Sequence, residues 1–303
     1  MRFLAIFLTL ALCSVSFGHA AQGSPTPRRE ELLNGLRVLI WTQPANANVS
    51  LKLRIHSGAA FDLSGKTGTM ALLGDAIFPD AETREFFTEE LGGTLEVTTD
   101  YDAINIRMSG RAAEFERMVE LLRTALVSNP LDKNTFGRLR DARVKMLREM
   151  GVAPSFIADR AVARRLFGEY PYGRPSAGAT DSLSSIERAD LVLARERFLT
   201  PDNATLVITG GVAENRALRT LRQLLGTWRK SDKRVPSTFR QPEVPDARTL
   251  IIDMPGVENV EVRLATRTMS RADKDLAAAM LIALLARDRW QAAFPELNRS
   301  ASF

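Results

Sequence analysis

Between positions 51 and 56 the chain alternates in polarity. Leu51, Leu53 and Ile55 fall on one side of an extended strand, and Lys52, Arg54 and His56 on the other. An Asn34-Gly35 turn signal precedes a second strand over 37–41. Residues 95–99 and 104–108 predict two more strands around Asp100-Tyr101-Asp102, and 204–210 predicts another. The remaining periodic segments repeat at helical spacing. Over 112–126 the apolar positions Phe115, Met118, Val119, Leu122 and Leu126 make one face. Over 134–150 an apolar side (Phe136, Leu139, Met146, Leu147, Met150) opposes Arg138, Arg140, Lys145 and Arg148, a basic face that reads as solvated. Further helices are predicted over 68–78, 157–167, 186–198 and 213–225. The pattern is that of an α+β protein, an antiparallel sheet packed with helices.

A Pro- and Ser-bearing stretch at 236–247 reads as an interdomain linker. After it, 259–264 echoes 48–53, and each is followed by a helical run, 276–290 in the second copy. The expected organisation is one domain over 28–235, with the fold proper starting at Leu33, and a partial second copy over 248–303. A strand pair with one or two helices cannot bury its apolar faces alone, so the second copy reads as truncated.

The first residues read as a leader rather than as fold. Arg2, an apolar run over 3–17 and the small residues around Ala20-Ala21 have the form of a secretory signal peptide over 1–21, cut near Ala20 or Ala21. The run is short for a membrane span. A lipoprotein signal ending at Cys13 is the weaker alternative, because Leu12 stands where a small residue is wanted. Cleavage removes Cys13 and His19, leaving no cysteine and His56 as the sole histidine. Disulfides and thiolate metal sites are then excluded, and stability rests on the core. The net charge is +5, with Lys and Arg mixed among acids along the chain, which argues against nucleic acid as a partner.

Candidate chemistry is sparse. Gly65-Lys66-Thr67 lacks the first glycine of a phosphate loop, since position 60 is Ala60. No G-x-S-x-G elbow or S-x-x-K pair is present. His56, beside Lys52 and Arg54, reads as an exposed strand histidine in a neighbourhood that disfavours its charged form. Near the 68–78 helix, Asp62, Asp75 and Asp80 suggest an acidic patch, which reads as a solvated loop, with a weak cation site as the lesser alternative.

Five segments, in order, carry a resemblance to a known family. They are Asn34-Gly35-Leu36-Arg37-Val38; Ser57-Gly58-Ala59 with Gly65-Lys66-Thr67-Gly68; Glu89-Glu90-Leu91-Gly92-Gly93; Tyr170-Pro171-Tyr172-Gly173-Arg174-Pro175; and the run from Phe198 through Pro201-Asp202-Asn203-Ala204. Together they resemble the M16 (pitrilysin/insulinase, inverzincin) metallopeptidases, whose α+β domain is duplicated within one chain. The family's H-x-x-E-H would fall on the 68–78 helix, where the three chemical positions read Ala71, Gly74 and Asp75. Two histidines four apart share a zinc ion and a glutamate between them serves as base. Alanine and glycine offer no donor atom, and one carboxylate does not hold a catalytic zinc. The family's distal glutamate ligand is expected near Lys145-Met146, where neither residue replaces it. Tyr170 stands where the family's H-P-Y-G-R-P has its histidine.

The resemblance implies a non-catalytic M16 subunit with no metal, cofactor or catalytic residue of its own. It would be exported to the periplasm and pair with an H-x-x-E-H-bearing chain that carries the zinc. Its ligand would be peptide or unfolded polypeptide, held in a shared chamber. Two other functions stay open at this point: an independent exported peptide-binding or scaffold module, and an enzyme of zinc-independent chemistry.

Overall fold

The computed structural model describes residues 26–231, 242–243, 246–270 and 272–295. The expected leader at 1–21 lies outside the described residues, as do 236–241, 244 and 245 of the expected linker. In chain order the strands are β1 (Arg28–Glu31), β2 (Arg37–Thr42), β3 (Asn48–Ile55), β4 (Thr94–Thr99), β5 (Ile104–Arg111) and β6 (Ala204–Gly210). The helices are α1 (Thr69–Asp75), α2 (Ala81–Glu89), α3 (Phe115–Arg123), α4 (Lys133–Met150), α5 (Pro154–Phe167), α6 (Thr180–Ser185), α7 (Arg188–Phe198), α8 (Glu214–Leu225) and α9 (Leu276–Ala293).

The six strands form one sheet in the order β1-β2-β6-β3-β5-β4. All neighbouring pairs are antiparallel except β2 and β6, which run parallel. The sheet is thus the expected antiparallel one, with a single parallel pair within it. The chain between β2 and β6 is long enough for a crossover, so no hairpin dictates their direction. Alternation in the sequence becomes two unlike faces. Val49, Leu51, Leu53 and Ile55 on β3 are buried beside Ile104, Ile106 and Met108 of β5 and Leu206 and Ile208 of β6, beneath α1, α3 and α8. The intervening positions are half-buried or exposed.

Helix α1 lies between two apolar clusters. Met70 and Leu73 join the sheet core, whereas Leu72 joins a smaller cluster with Phe136 and Leu147 of α4, Leu183 of α6, and Leu191 of α7. Residues 69–74 are accordingly all buried. Helix α4 begins at Asp132, whose carboxylate accepts hydrogen bonds from the Asn134 and Thr135 amides, and Pro154 opens α5 at a position that needs no amide donor.

Two elements escape the hydrophobic pattern. β1 reads Arg-Arg-Glu-Glu and is a strand because it pairs with β2. Helix α2 is charge-rich and buries only Phe87. The echo at 259–264 forms no strand. Val260 is 88% exposed, Val262 61% and Leu264 87%, and no neighbouring strand among the described residues satisfies that segment. The helical run after it does form, as α9, with none of its residues buried. The segment touches α5 through Arg263 Nε and Asp159 Oδ1 at 2.6 Å, and through Arg165 Nη2, which donates to the Arg248 carbonyl at 3.0 Å. Among the described residues no helix is long and apolar enough to cross a membrane.

Candidate functional site

The site is built around the start of α1. Gly68 precedes the helix at φ +107°, and a side chain there would strike Leu183 and Gly178, so only glycine serves. Asp62 caps the helix from six residues back. Its Oδ2 accepts from the Gly68 amide at 2.7 Å and its Oδ1 from the Met70 amide at 2.8 Å. Asp62 is 5% exposed. Burial pushes its carboxyl up to about 6, against the pull of the two amides, Arg174 and Arg143.

Of the three motif positions, Ala71 is buried and presents a methyl group. Gly74 packs against β4 so closely that a Cβ would stand under 3.0 Å from Thr99 Oγ1. Glycine at this position is therefore what lets the helix approach the strand, a reason beyond the mere absence of a base. Asp75 is gripped by Arg143 of α4, with Nε donating to Oδ2 at 2.8 Å and Nη2 to Oδ1 at 2.7 Å. The remaining guanidinium donors reach the Ala177 carbonyl at 3.1 Å and the Ala71 carbonyl at 3.4 Å. Burial raises the Asp75 carboxyl above its ordinary value, and Arg143 opposes that shift.

The expected distal position is corrected by this geometry. Lys145 is exposed and lies 3.9 Å from Glu149, and Met146 packs on the smaller apolar cluster. The charged side chain that reaches α1 from α4 is Arg143, one helical turn earlier than Met146. Nothing in the linear sequence marks it, because its partner lies 68 residues away. The expected acidic patch is also corrected. Asp62 is a buried cap, Asp75 is paired, and Asp80 pairs with Arg138 at 2.8 Å.

The donor set does not fit a zinc ion. The alanine and glycine have no ligand atoms, and the one carboxylate is already held by a guanidinium. Among the described residues no three His, Cys, Asp or Glu side chains gather as they would around a metal.

The other motif segments brace this region. Arg174 donates from Nη1 to the Asp62 carbonyl at 2.9 Å and from Nη2 to the Ala60 carbonyl at 3.4 Å. Its own carbonyl accepts from Tyr101 Oη at 3.0 Å. Tyr172 Oη donates to Asp102, and its ring lies 5.0 Å from that of Tyr101 and 5.4 Å from that of Tyr170. The chain's three tyrosines thus form one cluster at the β4–β5 turn. Gly35 turns at φ +86° directly against the Asp202 backbone, which brings two of the five segments together. Lys66 is bound to Asp190 at 2.9 Å, as a latch between the loop before α1 and α7. His56 is half-buried, with Nε2 2.9 Å from Thr205 Oγ1, where an exposed position was expected. Burial, then Arg37 and Arg54, lower its pKa.

Comparison with known proteins follows the same lines. Residues 185–286 match the family model of the peptidase M16 inactive domain. An uncharacterized zinc protease of Mycobacterium leprae is 22% identical over 253 residues, covering 80% of this chain and 56% of the relative. A protease from Helicobacter pylori has the same fold, with a TM-score of 0.68 and 17% identity over 72% of this chain and 55% of that one. The periplasmic protease PqqL from Escherichia coli matches with a TM-score of 0.62 and 18% identity, covering 70% of this chain and 25% of its own. The chain thus spans about half the length of the first two. The ordered segments, the six-stranded α+β fold and these likenesses point the same way: the chain is similar in fold to M16 peptidases, and its residues 185–286 match that family's inactive domain.

Proposed function

We propose that the chain is a non-catalytic M16 subunit, exported to the periplasm, that pairs with an H-x-x-E-H-bearing M16 chain and supplies part of the wall of its peptide chamber. The observation that carries this reading is the Asp75–Arg143 ion pair at the ligand positions of α1. An arginine there gives the carboxylate a permanent internal partner, whose positive charge opposes a metal cation beside it. The reaction's zinc then belongs to the partner, and this chain contributes fold and surface. The inactive-domain match supports a wall role, and the leader-like start together with the likeness to a periplasmic protease supports export.

In this role the edge strand β4, whose sole neighbour among the described residues is β5, offers an unpaired backbone beside α1 to an extended polypeptide. The test is affinity capture of the tagged chain from its native periplasmic extract, followed by mass spectrometry and a peptidase assay with and without chelator. Recovery of an H-x-x-E-H chain with chelator-sensitive activity is expected. Recovery of the chain alone would overturn the reading.

A further inference from the structure

The sheet has one face that no helix among the described residues covers. Its side chains are half-buried or exposed throughout, while those of the opposite face are buried on β3, β5 and β6. The registers set them in rows. One row runs Arg37, Thr205, Arg54, Asn105 across β2, β6, β3 and β5. The next runs Leu39, Val207, Lys52, Arg107 and ends at Glu96 on β4. Arg29 of β1 opposes Leu39 and Glu31 opposes Arg37, so both belong to the same face.

In these two rows and on β1 five cations therefore face two carboxylates, and Glu96 is already bound to Arg107 at 3.3 Å. Among the described residues Arg37 and Lys52 are exposed and have no ion-pair partner. The carboxylates sit on the edge strands, and four of the five cations stand on the strands between them. Neighbouring strands lie about 4.8 Å apart and same-face residues along a strand about 7 Å apart. The central cations thus stand within or near one Debye length of each other and act together on a ligand.

We infer that this open face binds an extended, acidic stretch of polypeptide. An extended chain presents same-side residues at about 7 Å, so acids at alternate positions fall on both rows at once. The apolar Leu39 and Val207 between the cations accept aliphatic side chains, which a phosphodiester backbone does not offer. Glu96 and Glu31 at the margins repel a long polyanion and tolerate a short acidic segment. Polypeptide as the ligand class rests on the M16 reading above; the acidic character rests on the charges of this face.

The test uses the full chain and fluorescence anisotropy with a labelled peptide of alternating Glu and Val, its Lys-Val counterpart, and single-stranded DNA as competitor. The acidic peptide is expected to bind and weaken with salt, while the basic peptide does not bind. Arg37→Glu with Lys52→Glu is expected to weaken binding by about 10-fold or more. Lys145→Glu with Arg148→Glu, on the exposed side of α4, is expected to leave it unchanged. The neutral pair Arg37→Gln with Lys52→Gln, checked by thermal unfolding, separates lost binding from lost folding. No binding of the acidic peptide, an equal loss in the α4 variant, or displacement by DNA as effective as by unlabelled peptide would each overturn the inference. Because the isolated chain is used, a failed partner capture leaves this result standing, and a failed peptide titration leaves the pairing standing.

Discussion

Arg143 and Asp75 are 68 residues apart in sequence and share two parallel hydrogen bonds, of 2.8 and 2.7 Å, between α4 and α1. The Arg143 side chain is 13% exposed and that of Asp75 35%. The pair cross-links the two helices at the positions where the family's ligands would converge. Arg143→Met removes one partner and leaves a carboxylate in a poorly solvated place. The expected loss is about 2 kcal/mol, below the range for fully buried pairs because Asp75 keeps some water. Adding Asp75→Ala is expected to restore part of that stability, since no uncompensated charge remains. Urea unfolding of both single variants and the double variant measures the coupling, and purely additive losses would show that the contact contributes nothing.

A second expectation concerns Gly74. In a free helix Gly→Ala is favourable by about 1 kcal/mol. Here the methyl group meets Thr99 Oγ1, so Gly74→Ala is expected to destabilise by roughly 1–3 kcal/mol. Thr99→Ala in the same chain opens the space and is expected to recover most of the loss. Thermal unfolding of the set decides it, and a stabilising Gly74→Ala would remove the packing explanation.

The cap of α1 makes a prediction about pH. Asp62 has a folded-state pKa of about 6, raised from the ordinary 3.8. The folded protein therefore holds this proton more tightly than the unfolded chain does. Asp62's favourable contribution is complete below the unfolded value and is lost as pH rises through the folded one. Between pH 4 and 7 the stability of the native chain relative to Asp62→Asn is expected to fall by on the order of 1–3 kcal/mol. Asp62→Asn forfeits one acceptor at every pH, which shifts its whole curve, so the readout is the slope. Parallel curves for the two proteins would contradict the shift.

His56 is the only histidine among the described residues. Burial and its two arginine neighbours lower its pKa, so its ring titration by NMR is expected to have a midpoint below 6.5. The neutral ring is then favoured by folding, and this contribution is lost as pH falls through the folded value. Arg37→Gln is expected to move the midpoint upward. A midpoint at or above 6.5 would contradict the arrangement.

Strands β2 to β6 were legible because alternation is a local property and each core position declares itself two residues later. β1 was not, since its four charged residues carry no apolar signal and its state is set by β2. The motif positions Ala71, Gly74 and Asp75 were legible only through the resemblance, and the reason for Gly74 was not legible at all. A glycine in a helix reads as a tolerated weakness until the strand beneath it is seen. Arg143 was hidden for a related reason: on α4 it is one arginine among several, and only its distance from Asp75 distinguishes it.

Helix α1 has apolar neighbours on both sides, the sheet core below and the α4–α6–α7 cluster above. Its history is constrained by that placement. Ala71 and Asp75 could exchange for other side chains at the cost of their own contacts alone. Met70, Leu72 and Leu73 still answer to two surroundings at once, so drift at any of them is penalised from one side or the other. Such a segment keeps its apolar signature whatever the chemistry of its polar positions, and its kinship of fold stays readable in the packing residues alone.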